Sequence, residues 1–92
     1  MNDFNNEGKD FLTFKIIQSG ESIKVQLTTS NLNKSFLYVL QSLLKDLKLK
    51  QKNIFLSNEE GKMVGINDFR LSLKEIIHKF GTILKVYSEK IF

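Results

Sequence analysis

The chain has no cysteine, no proline and no tryptophan among its 92 residues, and only one histidine, His78, and one arginine, Arg70. Without cysteine there is no disulfide scaffold, no thiolate metal site and no cysteine nucleophile; the composition is compatible with a reducing compartment. A single histidine cannot build a multi-histidine metal site. With 13 of the 14 basic residues lysine, the planar arginine fork that sequence-specific nucleic-acid recognition relies on is scarce. No apolar run approaches the roughly 20 residues that span a bilayer. Residues 1–10 are polar and lack the apolar stretch of a signal peptide. The absence of proline fits short turns built on Gly and Asn.

What is present suits one small domain with one core. The apolar fraction is 41%, ordinary for a globular chain, and eight Phe with many Ile and Leu supply the bulk. The net charge is +4, which reads as a lysine-rich solvated surface and leaves room for an acidic partner.

The pattern predicts a polar tail over residues 1–10, flexible and with Phe4 alone able to dock, and a folded domain over residues 11–92. In the strand Phe11–Gln18, Leu12, Phe14 and Ile16 share one face while Thr13, Lys15 and Ile17 share the other. A turn at Ser19–Ser22 uses Gly20. A second strand alternates Ile23, Val25 and Leu27 with Lys24, Gln26 and Thr28, completing a hairpin. Capping residues over Ser30–Asn33 precede the main helix, whose stripe is Phe36, Val39, Leu40, Leu43, Leu44 and Leu47. Lysines 45, 48 and 50 lie near its end, where positive charge suits the helix dipole. A short strand at Asn53–Leu56, a turn at Ser57–Gly61, a brief return strand at Met63–Val64 and a turn at Gly65–Asp68 follow. Ser72 and Glu75 have capping-box spacing before a short helix with Leu73, Ile76, Ile77 and Phe80, and Gly81 sits at its C-terminal end. The last strand is Thr82–Tyr87. The predicted class is α+β: a ubiquitin-like β-grasp, with a mixed sheet of four to five strands packed on one long helix plus a short second helix. In it the first and last strands lie side by side at the sheet centre. The second strand is an edge, which invites strand addition by a partner.

None of the reactive side chains makes an active site. Glu59 and Glu60 are adjacent on a turn, not held apart in a cleft with contrasting environments as acid–base pairs require. Gly61 and Gly65 lack the remainder of a phosphate-loop or dinucleotide motif. Ser72 has a structural role as a cap, and His78 reads as an exposed helix residue. Phe14, Phe36, Phe55 and Phe80 fall on inferred core faces, which leaves the lysines around the helix exit, Lys45, Lys48, Lys50 and Lys52, without the interleaved aromatics of a nucleic-acid site. No enzyme, cofactor or metal is expected.

Several segments carry a resemblance. They are Ser35-Phe36 with Val39 and Leu43, Lys48-Leu49, Ile54–Asn58, Leu73–Phe80, and Leu84–Ser88 ahead of Phe92. Together they resemble the ubiquitin-like modifiers of autophagy, and most of all the autophagy-related protein 12 family. A second resemblance, to ubiquitin-fold modifier 1, runs through Thr13–Ile16 and the Asn58–Asn67 loop with its Gly65-Ile66-Asn67. The chain departs from the first family in lacking the final glycine, the Phe-Ala-Pro-Ser-Pro-like loop after the third strand, for which Glu59–Arg70 stands in, and an acidic insertion before the last strand.

The first resemblance implies a non-catalytic protein that binds autophagy-related protein 5 and, with the lipidation conjugating enzyme, supports transfer of the protein 8-type modifier to lipid. It implies a cytoplasmic protein recruited to membranes through partners, with no nucleic acid bound and no insertion into the membrane. Conjugation requires activation of a terminal glycine carboxylate; Phe92, with its β-carbon and ring, would fit poorly in a channel made for glycine. The expectation is therefore non-covalent binding, with Ile91 and Phe92 as apolar anchors, Tyr87 beside them, and Lys24 and Gln26 on the edge strand. The alternatives are a covalent modifier of which this sequence omits the glycine, and a β-grasp subunit of an unrelated complex.

Overall fold

In a computed structural model, residues 11–50 and 54–88 are described. The first apolar alternation becomes β1 (Phe11–Ile16), with Leu12, Phe14 and Ile16 buried as the two-residue period requires. Gly20 takes φ 78° in the following turn, a conformation open to glycine at little cost. The chain returns as β2 (Ser22–Gln26).

The predicted caps at Ser30–Asn33 do not cap the main helix. Thr28 Oγ1 accepts from the Asn31 N–H at 3.1 Å and starts a short helix, α1 (Thr29–Leu32). The main helix, α2 (Phe36–Leu47), is capped by Ser35, whose Oγ accepts from the Tyr38 N–H at 3.2 Å. Several small polar residues compete as caps here, and the one next to the apolar stripe wins. Nor is α2 a single long helix. It has 12 residues and ends at Lys48, which adopts the left-handed conformation, and shorter helices accompany it.

β3 (Ile54–Asn58) follows. The expected return strand is reduced to one bridge, Ser57 to Met63. The expected turn at Gly65–Asp68 is the start of a 3-10 helix, Ile66–Arg70, which buries Phe69. Ser72 and Glu75 form the predicted capping box, with Glu75 N–H to Ser72 Oγ at 3.2 Å and Ser72 N–H to Glu75 Oε1 at 2.9 Å, and start α3 (Leu73–Phe80). Gly81 ends α3 at φ 95°. The chain finishes its described course in β4 (Ile83–Ser88).

The sheet order is β2-β1-β4-β3. β1 and β4 run parallel at the centre, and both outer pairs are antiparallel. The inner residues of all four strands, the stripe of α2 and the buried face of α3 form one core. Phe36 anchors it, with ring centroids 6.3 Å from Phe14 and 5.8 Å from Phe69. The starts of α2 and α3 are tied together by Phe36 N–H to Leu71 O and Leu73 N–H to Lys34 O, at 2.7 and 2.9 Å. One face of the sheet thus carries the core; the other carries Thr13, Lys15, Lys24, Gln26, Phe55, Lys85 and Tyr87.

Candidate functional site: an open strand edge

The two edges of the sheet differ. On β3, the Val64 N–H donates to Leu56 O and the Asn58 N–H to Lys62 O, both at 2.9 Å. The loop thus folds back over that edge. Buried Asn58 fixes this return: its Oδ1 accepts from the Glu60 and Lys62 N–H groups at 3.0 and 2.8 Å, and its Nδ2 donates to Phe80 O at 3.2 Å. Every polar group of a side chain with only 5% exposure is thereby engaged.

Among the described residues no strand or loop pairs with the β2 edge. The Ile16 N–H donates to Glu21 O at 2.7 Å, and antiparallel bonds alternate along a ladder. With Phe14 opposite Ile23 and Leu12 opposite Val25, the backbone groups of Ile23 and Val25 point to β1, and those of Ser22, Lys24 and Gln26 point away. The Gln26 carbonyl agrees with this, since it accepts from Asn31 Nδ2 at 2.7 Å. The backbone of Lys24 is left as the middle of the free edge.

Beside that edge lies a groove of about 400 Å³ between β2 and α2. Half-buried Ile23 and Val25 face Val39 and Leu43 across it, and Tyr38 is 59% exposed at its rim. Lys34 Nζ lies 5.0 Å from the centroid of the Tyr38 ring, within the range of a cation–π contact. Lys24 and Asp46 complete the polar margin. Strand addition needs this combination, with free backbone groups for pairing and an apolar groove for alternate side chains.

The sequence-selected residues separate into three places. Lys24 and Gln26 are exposed on β2, as expected of the edge. Tyr87 is exposed on β4, directly opposite Phe55 of β3. Lys24 pairs with Thr13 and Tyr87 lies level with Ile17, so they share the outer face but not a site. Ile91 and Phe92 lie outside the described residues, as do Lys52 and the tail 1–10. Phe55 is a correction. It was expected in the core and is 53% exposed, because the alternation of β3 buries its neighbours Ile54 and Leu56. Tyr38, on the exposed side of α2, was not picked out; its position just off the apolar stripe was the available signal.

The remaining candidates have structural surroundings. Glu59 Oε2 accepts from Lys15 Nζ at 3.2 Å. Asp68 accepts from Lys79 Nζ at 2.6 Å and from the Gly65 N–H at 2.9 Å. Lys79, then the Gly65 N–H, hold the Asp68 carboxyl below its ordinary value. His78 is exposed on α3. Among the described residues no cluster of three or more His, Asp or Glu is placed to hold a metal, and no helix is long and apolar enough to cross a membrane.

The chain matches no protein-family model and no curated protein.

Proposed function

We propose that this chain is a ubiquitin-like β-grasp protein that works by binding, taking an extended segment of a partner protein along the β2 edge. The observation that carries the reading is the asymmetry of the sheet among the described residues, with the β3 edge covered by its own loop and the β2 edge left unpaired beside an apolar groove. A central parallel pair flanked by two antiparallel strands, with α2 between β2 and β3, supports the β-grasp reading. An incoming segment would pair with Lys24 and place alternate apolar side chains between β2 and α2. Carboxylates on that segment would suit Lys24 and Lys34.

The finer reading follows from the resemblance. Its partner is autophagy-related protein 5, bound without a covalent bond in the cytoplasm, in a complex that supports lipidation of the protein 8-type modifier. Hydrogen exchange on the full chain, alone and mixed with autophagy-related protein 5 from the same organism, tests both levels. Slowed exchange at the Ser22, Lys24 and Gln26 amides is expected. Binding that protects other amides overturns the edge as the site, and no binding overturns the named partner.

A further inference from the structure

The two ends of the β2 edge are not alike. Its outward residues are Ser22, Lys24 and Gln26, and each presents one N–H and one carbonyl along the edge. One of these groups is already engaged. Asn31, in α1, donates from Nδ2 to Gln26 O at 2.7 Å. The backbone of Asn31 is itself held on both sides. Its N–H donates to Thr28 Oγ1 at 3.1 Å, and its carbonyl accepts from the Lys34 N–H at 3.0 Å. The side chain is thereby kept over the Gln26 end of the edge. At the Ser22 end no described side chain bonds to the edge carbonyl. α2 runs back along β2 from the capped end: Lys34 and Tyr38 lie with Asn31, and Leu47 lies with Ser19 and Glu21 at the hairpin turn.

We propose that Asn31 is a specificity-determining residue for strand addition at β2. It ends the added ladder at Gln26, and so fits a partner segment that enters antiparallel, with proline ahead of an apolar–acidic–apolar run. The inference rests on the β2 edge being the binding site. In an antiparallel pair, each outward residue exchanges both of its bonds with the one residue opposite it. The first residue of the incoming segment then lies opposite Gln26, the third opposite Lys24 and the fifth opposite Ser22. The carbonyl of the first residue accepts from the Gln26 N–H, but its own N–H finds the Gln26 carbonyl held by Asn31. Proline has no N–H and suits the first residue of a strand, so it loses nothing there. At the third and fifth positions the N–H groups donate to the Lys24 and Ser22 carbonyls, and proline forfeits a bond. A parallel segment would carry its dispensable N–H at the C-terminal end, and parallel pairing is the weaker per residue. Side chains follow the same register. The second and fourth residues lie opposite Val25 and Ile23 and point with them into the groove, against Val39 and Leu43. The third projects on the outer face, where Lys24 Nζ sits 5.8 Å from the Phe11 ring centroid. A carboxylate there makes a cross-strand pair of opposite charge with Lys24.

The test is an amide chemical-shift titration of the full labelled chain with end-capped synthetic segments of five residues. All carry leucine at the second and fourth positions and glutamate at the third. The first and fifth are alanine in one segment, and proline replaces one or the other in two more. Shifts are expected at the Ser22, Lys24 and Gln26 amides. Proline at the first position should leave affinity within about twofold, and proline at the fifth should weaken it about tenfold through the lost bond. Asn31→Ala frees the Gln26 carbonyl and keeps the Thr28 cap, which uses only the Asn31 backbone. Against that variant the all-alanine segment should bind more tightly, and the proline-first segment should fall about tenfold behind it. Asn31→Asp, whose carboxylate cannot donate, should show the same new preference and keeps the test decisive if one variant does not fold. Edge shifts with equal losses for proline at either end, tolerance of proline at the fifth position alone, or an unchanged preference in both Asn31 variants would overturn the role of Asn31 and leave the edge as the site. No shifts at the edge with any segment would overturn both.

Discussion

Phe55 and Tyr87 face each other across the antiparallel pair β3–β4, both exposed, on the side of the sheet that none of the described helices covers. Cross-strand aromatic pairs of this kind contribute about 0.2–1 kcal/mol. A double-mutant cycle with Phe55→Ser and Tyr87→Ser, followed by urea denaturation, should give a coupling energy below about 1 kcal/mol. A larger coupling would mean that the pair belongs to the core and not to a surface.

Asn58 makes a sharper prediction. Asn58→Ala strands the Phe80 carbonyl and the Glu60 and Lys62 amides, and the expected cost is about 1–3 kcal/mol. In a domain of this size each kcal/mol lowers Tm by about 4–8 °C. Thermal unfolding of the variant measures it, and an unchanged Tm would show that water replaces the side chain freely.

The Asp68–Lys79 pair sets a pH dependence. The folded carboxyl titrates below its ordinary value of 3.8. The contribution is therefore fully present above 3.8, and it is lost as pH falls through the lowered folded value. Comparing Asp68→Asn with the parent across that range should show a stability gap at neutral pH that closes in acid. A gap that persists in acid assigns the effect to packing.

Much of the fold was legible because it depends on periodicity. The alternation of Leu12, Phe14 and Ile16, the stripe of α2 and the Ser72 capping box each express a local rule that tertiary contacts did not override. What was missed depends on neighbours. Phe69 is buried because the 3-10 helix turns it onto Phe36, and two turn-like residues before it hid that. Phe55 read as core from its composition, yet its place in the strand period turns it outward. Of the candidate site, the edge position of Lys24 and Gln26 was readable from the hairpin. The choice between the two edges was not, because it rests on the return of residues 62–64 over β3 through the buried Asn58 side chain.

The Lys24 N–H points away from β1 and has no acceptor among the described residues, so proline at position 24 removes a donor left for a partner, leaving the β1–β2 ladder intact. Ile23→Pro removes a ladder bond and should lower Tm more. The most direct measurement is recovery of partners from the native cell with the tagged full chain, parent beside Lys24→Pro, each sample split between native elution and boiling in SDS. The account predicts a partner recovered natively by the parent, released by boiling, and lost with Lys24→Pro while that variant keeps a cooperative thermal transition. Equal recovery with Lys24→Pro, or a heavier species that survives boiling, would contradict it.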